Sequence, residues 1–502
     1  MQPFPVDHLP LRGAPDADAL VLRDTVLSFE MLNLHVGQLA RYLCDAGMKP
    51  GDRVASWCAK GLISCLLPLA APRAGLIHVP VNPLLKEDQL HHILSDSGAV
   101  MLIANQARLA RLAPNQACSF HEEKAVGKAL AEIDDPLSPL PQDSDTDALV
   151  AIFYTSGSTG RPKGVMLSHA NLSLGALSVA DYLQLRADDR TLCVLPLAFD
   201  YGQNQLLSTW AAGAAAIPLD YLVANDVIKA CARHAITTLA AVPPLWVQLV
   251  EHDWPAAATA SLRRLTNSGG ALTPRLVGEL RRIFGHSTDI YAMYGLTEAF
   301  RSTFLPPALI DDNPTSMGRA IPHAEILVVK PDGTVAAPGE EGELVHCGPL
   351  VAHGYWRDAA RTALRFKPAP AASRYGGTAV WSGDTVRTDK DGLLYFVTRD
   401  DAMIKSAGNR ISPGEIEEAV LATGTAIEAV ALGVPDDRLG QAIRLFIRPK
   451  NSGDPDAAMA EISAHLKHHL PNFMQPQTIS CLKEFPKNPN GKIDRVALAK
   501  AG

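Results

Sequence analysis

Eleven consecutive residues after a short apolar run concentrate groups that bind anions. The segment Tyr154-Thr155-Ser156-Gly157-Ser158-Thr159-Gly160-Arg161-Pro162-Lys163-Gly164 carries four Ser/Thr hydroxyls, three glycines and two basic side chains. Glycines let backbone N–H groups approach an anion without a Cβ in the way. Hydroxyls add donors, and Lys163 adds charge, so the chemistry is that of a phosphate-gripping loop. It differs from the loop of P-loop ATPases, in which the Lys directly follows Gly and opens a helix. Here Arg161-Pro162 intervene, and Pro162 biases Arg161 away from helical geometry. The bland alternative is a flexible surface linker.

Four further polar clusters weigh against that alternative. They are Tyr294-Gly295-Leu296-Thr297-Glu298, then Ser382-Gly383-Asp384, then the run from Arg399 through Lys405, Gly408 and Ile411 to Glu415-Ile416-Glu417, and finally Asn488-Pro489-Asn490-Gly491-Lys492-Ile493-Asp494-Arg495. Each alone reads as a capped turn, a solvated charge run or a frayed tail. Their joint order and spacing are a poor match to chance.

The elements that must position these clusters follow from hydrophobic period and turn signals. Leu149 to Phe153 read as a buried strand leading into the loop. Upstream, Leu32, Val36, Leu39 and Leu43 repeat at helical spacing, and Gly47 with Pro50-Gly51 stop the helix. Strands over 54–57, 77–80 and 100–103 alternate with helices from about 61 and over 86–94. Residues 105–147 are weakly patterned and read as a variable connection. Beyond the loop, strands over 191–195, 237–242, 265–268 and 289–293 alternate with helices over 203–212, 223–234 and 274–284. Such alternation implies a largely parallel, covered sheet. From about 316 the pattern becomes β-rich, with strands over 325–329, 342–346 and 393–397. The last hundred or so residues read as a compact α/β unit.

Composition bounds the class. At 502 residues the chain needs two or three domains. A net charge of −7 gives no reason to expect nucleic acid or an acidic membrane surface. The eight cysteines are scattered, with no C-x-x-C pair, which points to reduced thiols in the cytoplasm. The first nineteen residues lack a basic patch followed by an apolar run, so no signal peptide is expected. The most apolar stretch, 61–80, is interrupted by Pro68, Pro72 and Arg73 and reads as a buried helix and strand, not a membrane span. His91-His92 point to different sides of their helix, which disfavours a metal pair.

Together the five clusters, with Gly354-Tyr355-Trp356 and Thr362, resemble the adenylate-forming superfamily of acyl-CoA synthetases, non-ribosomal adenylation domains and firefly luciferase. The resemblance covers nearly the whole chain. It implies an α/β fold: a large N-terminal domain, 1–398, of two sheet-helix layers plus a β-barrel-like part from about 316, a hinge at 399–401, and a small mobile domain, 402–502. It also implies an AMP-forming ligase using ATP and Mg²⁺. A carboxylate would attack the α-phosphate of ATP, giving acyl-AMP and pyrophosphate, and a phosphopantetheine thiol would then take the acyl group. On this resemblance Thr155, Ser156, Gly157, Ser158, Thr159, Gly160 and Lys163 hold the β- and γ-phosphates. Thr297 bonds a phosphate oxygen, and Glu298 holds Mg²⁺, a hard ion suited to carboxylate and phosphate oxygens. Tyr294, after which Gly295 turns the chain, stacks on adenine against a wall of Gly269, Gly270 and Ala271. Asp384 takes the ribose hydroxyls with Arg399 beside it. Lys492 bridges the two anions that must react, and Lys405 is a further catalytic candidate. Asp401 is the hinge, and rotation there brings the Gly408 loop to the thiol tunnel.

The acyl pocket is less determined. Many fatty and aryl acyl-CoA synthetases would have His at Phe199. Phe199-Asp200 instead resembles amino-acid-activating domains, in which the Asp binds the substrate ammonium. A buried lone carboxylate needs a cation. That cation is either substrate ammonium or Arg301, and Arg301 itself either neutralises Asp200 or binds a second substrate anion. Tyr201, Asn204, Ala241, Thr266, Ser268 and Met293 are the other pocket candidates. An amino acid or small polar acid is expected ahead of a fatty or aryl acid. Only ten residues follow Lys492, so the expected acceptor is coenzyme A or a carrier protein in trans. The run from Glu298 to Ser302 also resembles stand-alone ligases associated with bacterial exopolysaccharide and protein-sorting loci. Rival classes are a non-catalytic nucleotide-binding protein of the same fold, a P-loop ATPase and an oxygenase of the luciferase type.

Overall fold

The computed structural model describes residues 2–113, 117–155, 162–399, 403–450, 454–486, 493 and 495–500. Ser156, Gly157, Ser158, Thr159, Gly160, Asp401 and Lys492 lie outside the described residues, as does the side chain of Arg399.

Two large sheets and a small one make up the molecule. The first sheet has six strands in the order Ser119–Glu122, Met101–Ala104, Arg53–Trp57, Ile77–Pro80, Leu149–Thr155, Lys163–Ser168. All its pairs are parallel except the last, which is an antiparallel hairpin setting Thr155 opposite Lys163. The second sheet is parallel over Asp289–Tyr294, Arg264–Asn267, Thr238–Ala241, Arg190–Cys193, Ala215–Pro218 and Asp18–Val21. Through Thr303–Phe304 and Ser316–Ala320 its ladder continues antiparallel into the β-rich part, where Leu394–Arg399, Thr378–Thr388, Glu341–Cys347 and Glu325–Val329 follow in order.

Helices fill the space between the two sheets. The largest buried apolar cluster joins Leu39 of helix Phe29–Asp45, Leu66 of Leu62–Arg73, Leu172 of His169–Tyr182 and Leu206 of Asp200–Ala211 to Phe153 of the first sheet and Leu20 of the second. Buried from several sides, these helices lose the one-faced apolar stripe by which a surface helix is recognised. Helix His169–Tyr182 was missed for that reason: every side chain except Asp181 is buried. Its start is set by Ser168, whose Oγ accepts from the Asn171 backbone N–H. Where polar groups enter this core they are paired. Arg73 donates to Asp7 at 3.0 Å with both side chains fully buried, and the Trp210 indole donates to the Ala19 carbonyl at 2.8 Å.

One expectation is corrected. Residues 105–147 are not merely a connection: they contain helix Gln106–Leu109, strand Ser119–Glu122 and helix Glu123–Leu130. The strand is a half-buried edge of the first sheet, so it lacks the clean alternation that marks a strand with one face in a core. Helix Pro243–Val250 and strands Ala215–Pro218 and Thr378–Thr388 were likewise not anticipated.

In the small domain, strands Ala426–Asp436, Gly440–Pro449 and Thr478–Cys481 and the hairpin Ile404–Ser406/Asn409–Ile411 form the third sheet. Helices Pro413–Ala422 and Pro455–His469 supply Ile416, Val420, Ile462 and Leu466 to its core. The domain docks on helix Glu87–Ser97 of the first sheet layer. There the Gln89 amide donates to Glu415 and to the His469 carbonyl, each at 3.3 Å, and His469 Nδ1 lies 2.9 Å from Asp88 Oδ2.

Candidate active site

A cleft of about 900 Å³ opens where the two sheet layers meet the small domain. It gathers residues from three of the clusters: Thr155 at the end of a strand of the first sheet, Tyr294 and Thr297 at and just beyond a strand of the second, and Lys405 and Gly408 from the small domain.

The side of the cleft at Thr155 is built on the hairpin of the first sheet. Pairing of Thr155 with Lys163 brings Lys163 to the end of strand Lys163–Ser168, where its Nζ meets Glu298 Oε1 at 3.0 Å and the Tyr355 hydroxyl at 2.5 Å. That hydroxyl donates in turn to the same Glu298 oxygen at 2.7 Å. Glu298 sits in the single helical turn Thr297–Ala299, and its second oxygen, Oε2, is buried with no hydrogen-bond partner among the described residues. Burial alone would raise this carboxyl. Lys163 and Arg410, with the Tyr355 hydrogen bond, outweigh it and hold Glu298 well below the usual carboxylate range. The sequence singled out Gly354-Tyr355-Trp356 and Thr362 without giving Tyr355 a task. Here the Tyr355 N–H donates to Thr362 Oγ1 at 2.9 Å and the Trp356 N–H to the Gly164 carbonyl at 2.8 Å, which pins the ring against the hairpin.

Tyr294, on the cleft wall, couples two clusters ninety residues apart. The Tyr294 hydroxyl donates to Asp384 Oδ2, and Asp384 is fully buried. Asp384 pairs in register with Arg399 on the neighbouring strand, and its backbone N–H donates to Ser382 Oγ at 3.0 Å. Gly269, Gly270, Ala271 and Gly295 line the same cleft as Tyr294.

A further side of the cleft begins at the N-terminus of helix Asp200–Ala211, with Phe199 as its cap residue. A carboxylate in the first turn is favoured by the helix dipole. Asp200 Oδ1 accepts from the Thr297 hydroxyl at 3.0 Å, and its Oδ2 lies 3.8 Å from Arg301 Nη2. Burial pushes the Asp200 carboxyl up, while Arg301 and Thr297 pull it back. Arg301 is 2% exposed; its Nη1 donates to Ser268 Oγ at 3.2 Å and its guanidinium lies 4.5 Å from the Tyr201 ring centre. The Tyr201 hydroxyl donates to the Thr266 carbonyl at 2.9 Å. Asn204, Thr266 and Met293 border a small cavity of about 20 Å³ that also touches Tyr201 and Arg301. Ala241 is a correction: it is fully buried in the apolar core of the second sheet and borders neither cavity.

The remaining wall is the hairpin of the small domain. Gly408, at φ +78°, lies so close to Val242 that a Cβ would stand 2.8 Å from its Cγ2. Asn409 and Arg410 line the cleft beside Lys405. From the first sheet layer come Lys60 and Arg108, which no sequence signal marked. Lys60 Nζ ties the layers together, donating to the Val194 and Leu219 carbonyls at 2.9 Å and to Asp220 at 3.1 Å.

With this geometry in view, similarity to known proteins becomes specific. Residues 10–356 match the AMP-binding enzyme family and residues 415–492 match the AMP-binding enzyme C-terminal domain. The chain belongs to the AMP-binding enzyme family, and so to the adenylate-forming superfamily of AMP-forming ligases. It is 30% identical over 505 residues to the L-proline–[L-prolyl-carrier protein] ligase of Pseudomonas fluorescens, covering 97% of this chain and 96% of that protein. It is 30% identical over 485 residues to a feruloyl-CoA synthase of an Amycolatopsis species, covering 96% and 95%. A probable non-canonical nonribosomal peptide synthetase of Salinispora arenicola is 31% identical over 490 residues, and the chain spans only 6% of its length.

Among solved structures, a double mutant of o-succinylbenzoate CoA synthetase from Bacillus subtilis bound with a product analogue superposes with a TM-score of 0.87 at 23% identity, covering 99% of this chain and 98% of that one. The same enzyme in complex with its acyl-adenylate intermediate gives 0.70 at the same identity and coverage. These likenesses bear on the fold. Among the described residues no helix is long and apolar enough to cross a membrane.

Proposed function

We propose that this chain activates an amino acid or small polar carboxylic acid with ATP, and passes the acyl group to coenzyme A or to a carrier protein in trans. The observation that carries the reading is that Glu298, held by Lys163 and Tyr355, follows Thr297 of the cleft wall, which donates to Asp200, while Tyr294 of the same wall donates to Asp384. Both reactants are anions, so the site must screen charge and align the attack.

In this reading Lys163 leaves Glu298 for the β- and γ-phosphates, together with the loop from Thr155 to Gly160. Glu298 has a buried oxygen without a partner, which suits a hard divalent cation. Mg²⁺ bound there supplies charge neutralisation of the phosphate oxygens. Thr297, already bonded to Asp200, stands between the phosphate and acyl sides. Tyr294 packs on adenine with Gly269, Gly270 and Ala271, and Asp384 takes the ribose. Lys492 bridges the carboxylate and the α-phosphate during adenylation, and the domains 1–398 and 402–502 pivot at 399–401, with Asp401 as the hinge. The Gly408 hairpin against Val242, together with the higher similarity to the product-analogue complex than to the acyl-adenylate complex, supports assigning this arrangement to thiol transfer. The unpaired thiols of all eight cysteines support a reducing, cytoplasmic setting. A fatty or aryl acid is the second reading, favoured by the feruloyl-CoA synthase relative.

The test is release of pyrophosphate and AMP with ATP, Mg²⁺ and a panel of carboxylic and amino acids, followed by thioester formation with coenzyme A or a carrier protein. Acid-dependent pyrophosphate is expected. ADP and phosphate as products, or no dependence on any acid, would sink the reading.

A further inference from the structure

We propose that Arg301 is a receptor for a second carboxylate on the acid being activated, so that the substrate is a dicarboxylic acid or an acidic amino acid. This rests on the ligase reading above and narrows it.

The first observation is in the backbone. Phe300 has φ +59° and ψ −50°, and the Arg301 N–H donates to the Ala299 carbonyl at 2.6 Å. That is a three-residue γ-turn of the positive-φ kind, which is rare and strained, above all at a bulky residue. It persists because its surroundings hold it. Phe300 is fully buried, its ring fills a notch at Gly175 where a Cβ would lie 2.2 Å from Cδ1, and the Ser302 N–H donates to the Tyr294 carbonyl at 3.1 Å. The turn lays Arg301 over Gly295, whose missing Cβ would otherwise stand 3.2 Å from Arg301 Cα, Cδ and Nη1. Strain of this kind, over-determined by packing, marks a position where the side chain has a task.

The second observation is in the guanidinium. Nη1 is spent on Ser268, and one face is spent on Tyr201. Among the described residues Nε and Nη2 are buried with no hydrogen-bond partner. Asp200 does not satisfy them: 3.8 Å is too long for a hydrogen bond, and its other oxygen is held by Thr297. Two unpartnered donors on a cation that is 2% exposed are costly to leave unmade. Nε–H and Nη2–H point in parallel along one edge of the guanidinium, the edge that matches both oxygens of a carboxylate. A single carbonyl or hydroxyl would satisfy one donor and strand the other. The geometry therefore asks for a carboxylate, delivered from the cleft that Arg301 lines together with Asp200 and Tyr201. Oδ2 of Asp200, beside the same edge, remains available to an ammonium group, so an acidic amino acid would meet one charge with each.

The test is acid-dependent ATP–pyrophosphate exchange with matched acids: aspartate against asparagine, glutamate against glutamine, and succinate against succinamate, with butyrate as the apolar reference. The wild-type protein is expected to favour each diacid over its monoamide in kcat/KM by about 10²-fold, the scale of losing a buried charged hydrogen-bond pair. Arg301→Gln should level that preference, mainly by raising KM for the diacid. Gly295→Ala, which crowds Arg301, should move the preference in the same direction while leaving the guanidinium in place. If buried Arg301 cannot be replaced without unfolding, the wild-type pairs alone decide. Preference for the monoamides or for butyrate would overturn the inference, since Asp200 would then be the partner of Arg301, and the ligase reading would stand. Absence of pyrophosphate exchange with every acid would remove the ligase reading and this inference with it.

Discussion

Glu415→Gln should remove a pH dependence from the docking of the small domain. Glu415 lies in the first turn of helix Pro413–Ala422, held against Gln89 of the large domain. Burial pushes its carboxyl up from about 4.5 to about 7; the neighbouring Glu418 adds to this and the Gln89 hydrogen bond opposes it. An undocked Glu415 would titrate near its ordinary value, so docking takes up a proton between about pH 4.5 and pH 7. Stability of the docked state is then fully present at the acid end, falls as pH rises through that window, and levels off above about 7. A displacement from 4.5 to about 7 corresponds to about 3 kcal/mol, or a few hundred-fold in population. The His469–Asp88 pair, at 2.9 Å, joins the same two domains. Both partners are more than a third exposed, so that pair is worth below about 1 kcal/mol, and Glu415 dominates.

Acyl transfer from presynthesised acyl-adenylate reads the docked population. The ratio of Glu415→Gln to wild-type rates cancels ionisation of the acceptor thiol. It should be about 4 at pH 5 and rise to about 10² by pH 7.5. A ratio that is flat from pH 5 to pH 8 would refute the reasoning.

Three other outcomes follow from the site. Lys492→Ala should cut pyrophosphate release by about 10²–10³, the value of one electrostatic transition-state contact, while thioester formation from supplied acyl-adenylate is kept; equal loss in both assays would contradict a two-arrangement cycle. Gly408→Ala puts a Cβ 2.8 Å from Val242 Cγ2 at φ +78°, so it should slow thioester formation and spare pyrophosphate release. Tyr355→Phe removes the hydrogen bond that holds Glu298 Oε1; it should raise the Mg²⁺ concentration needed for half-maximal pyrophosphate release and weaken Mg²⁺-dependent nucleotide binding in a direct titration, and unchanged Mg²⁺ dependence in both would discount a positioning role.

What the sequence determined by itself is what lies close together along the chain. The anion-binding composition after Tyr154, the Thr297-Glu298 cluster just after a strand and a helix soon after Phe199-Asp200 are local, and residue types express them directly; the strand Lys163–Ser168 and the helix start at Asp200 instead of Gln203 came from the structure. Alternating strands and helices likewise announced covered, largely parallel sheets. Helix His169–Tyr182 escaped because burial on all sides erases the periodicity that reveals a surface helix. Edge strand Ser119–Glu122 escaped because its half-burial leaves little alternation. Only the tertiary structure decided which distant groups pair. Tyr355 meets Glu298 across fifty-seven residues and Tyr294 meets Asp384 across ninety, contacts to which no local pattern points. Ala241 and Asn204 were equal pocket candidates in sequence; packing put one in the apolar core and the other beside Arg301. The Asp200–Arg301 question was open for the same reason. Residue types made both pairings possible, and a γ-turn locked by a ring against Gly175 set the 3.8 Å separation that leaves two donors of Arg301 for something else.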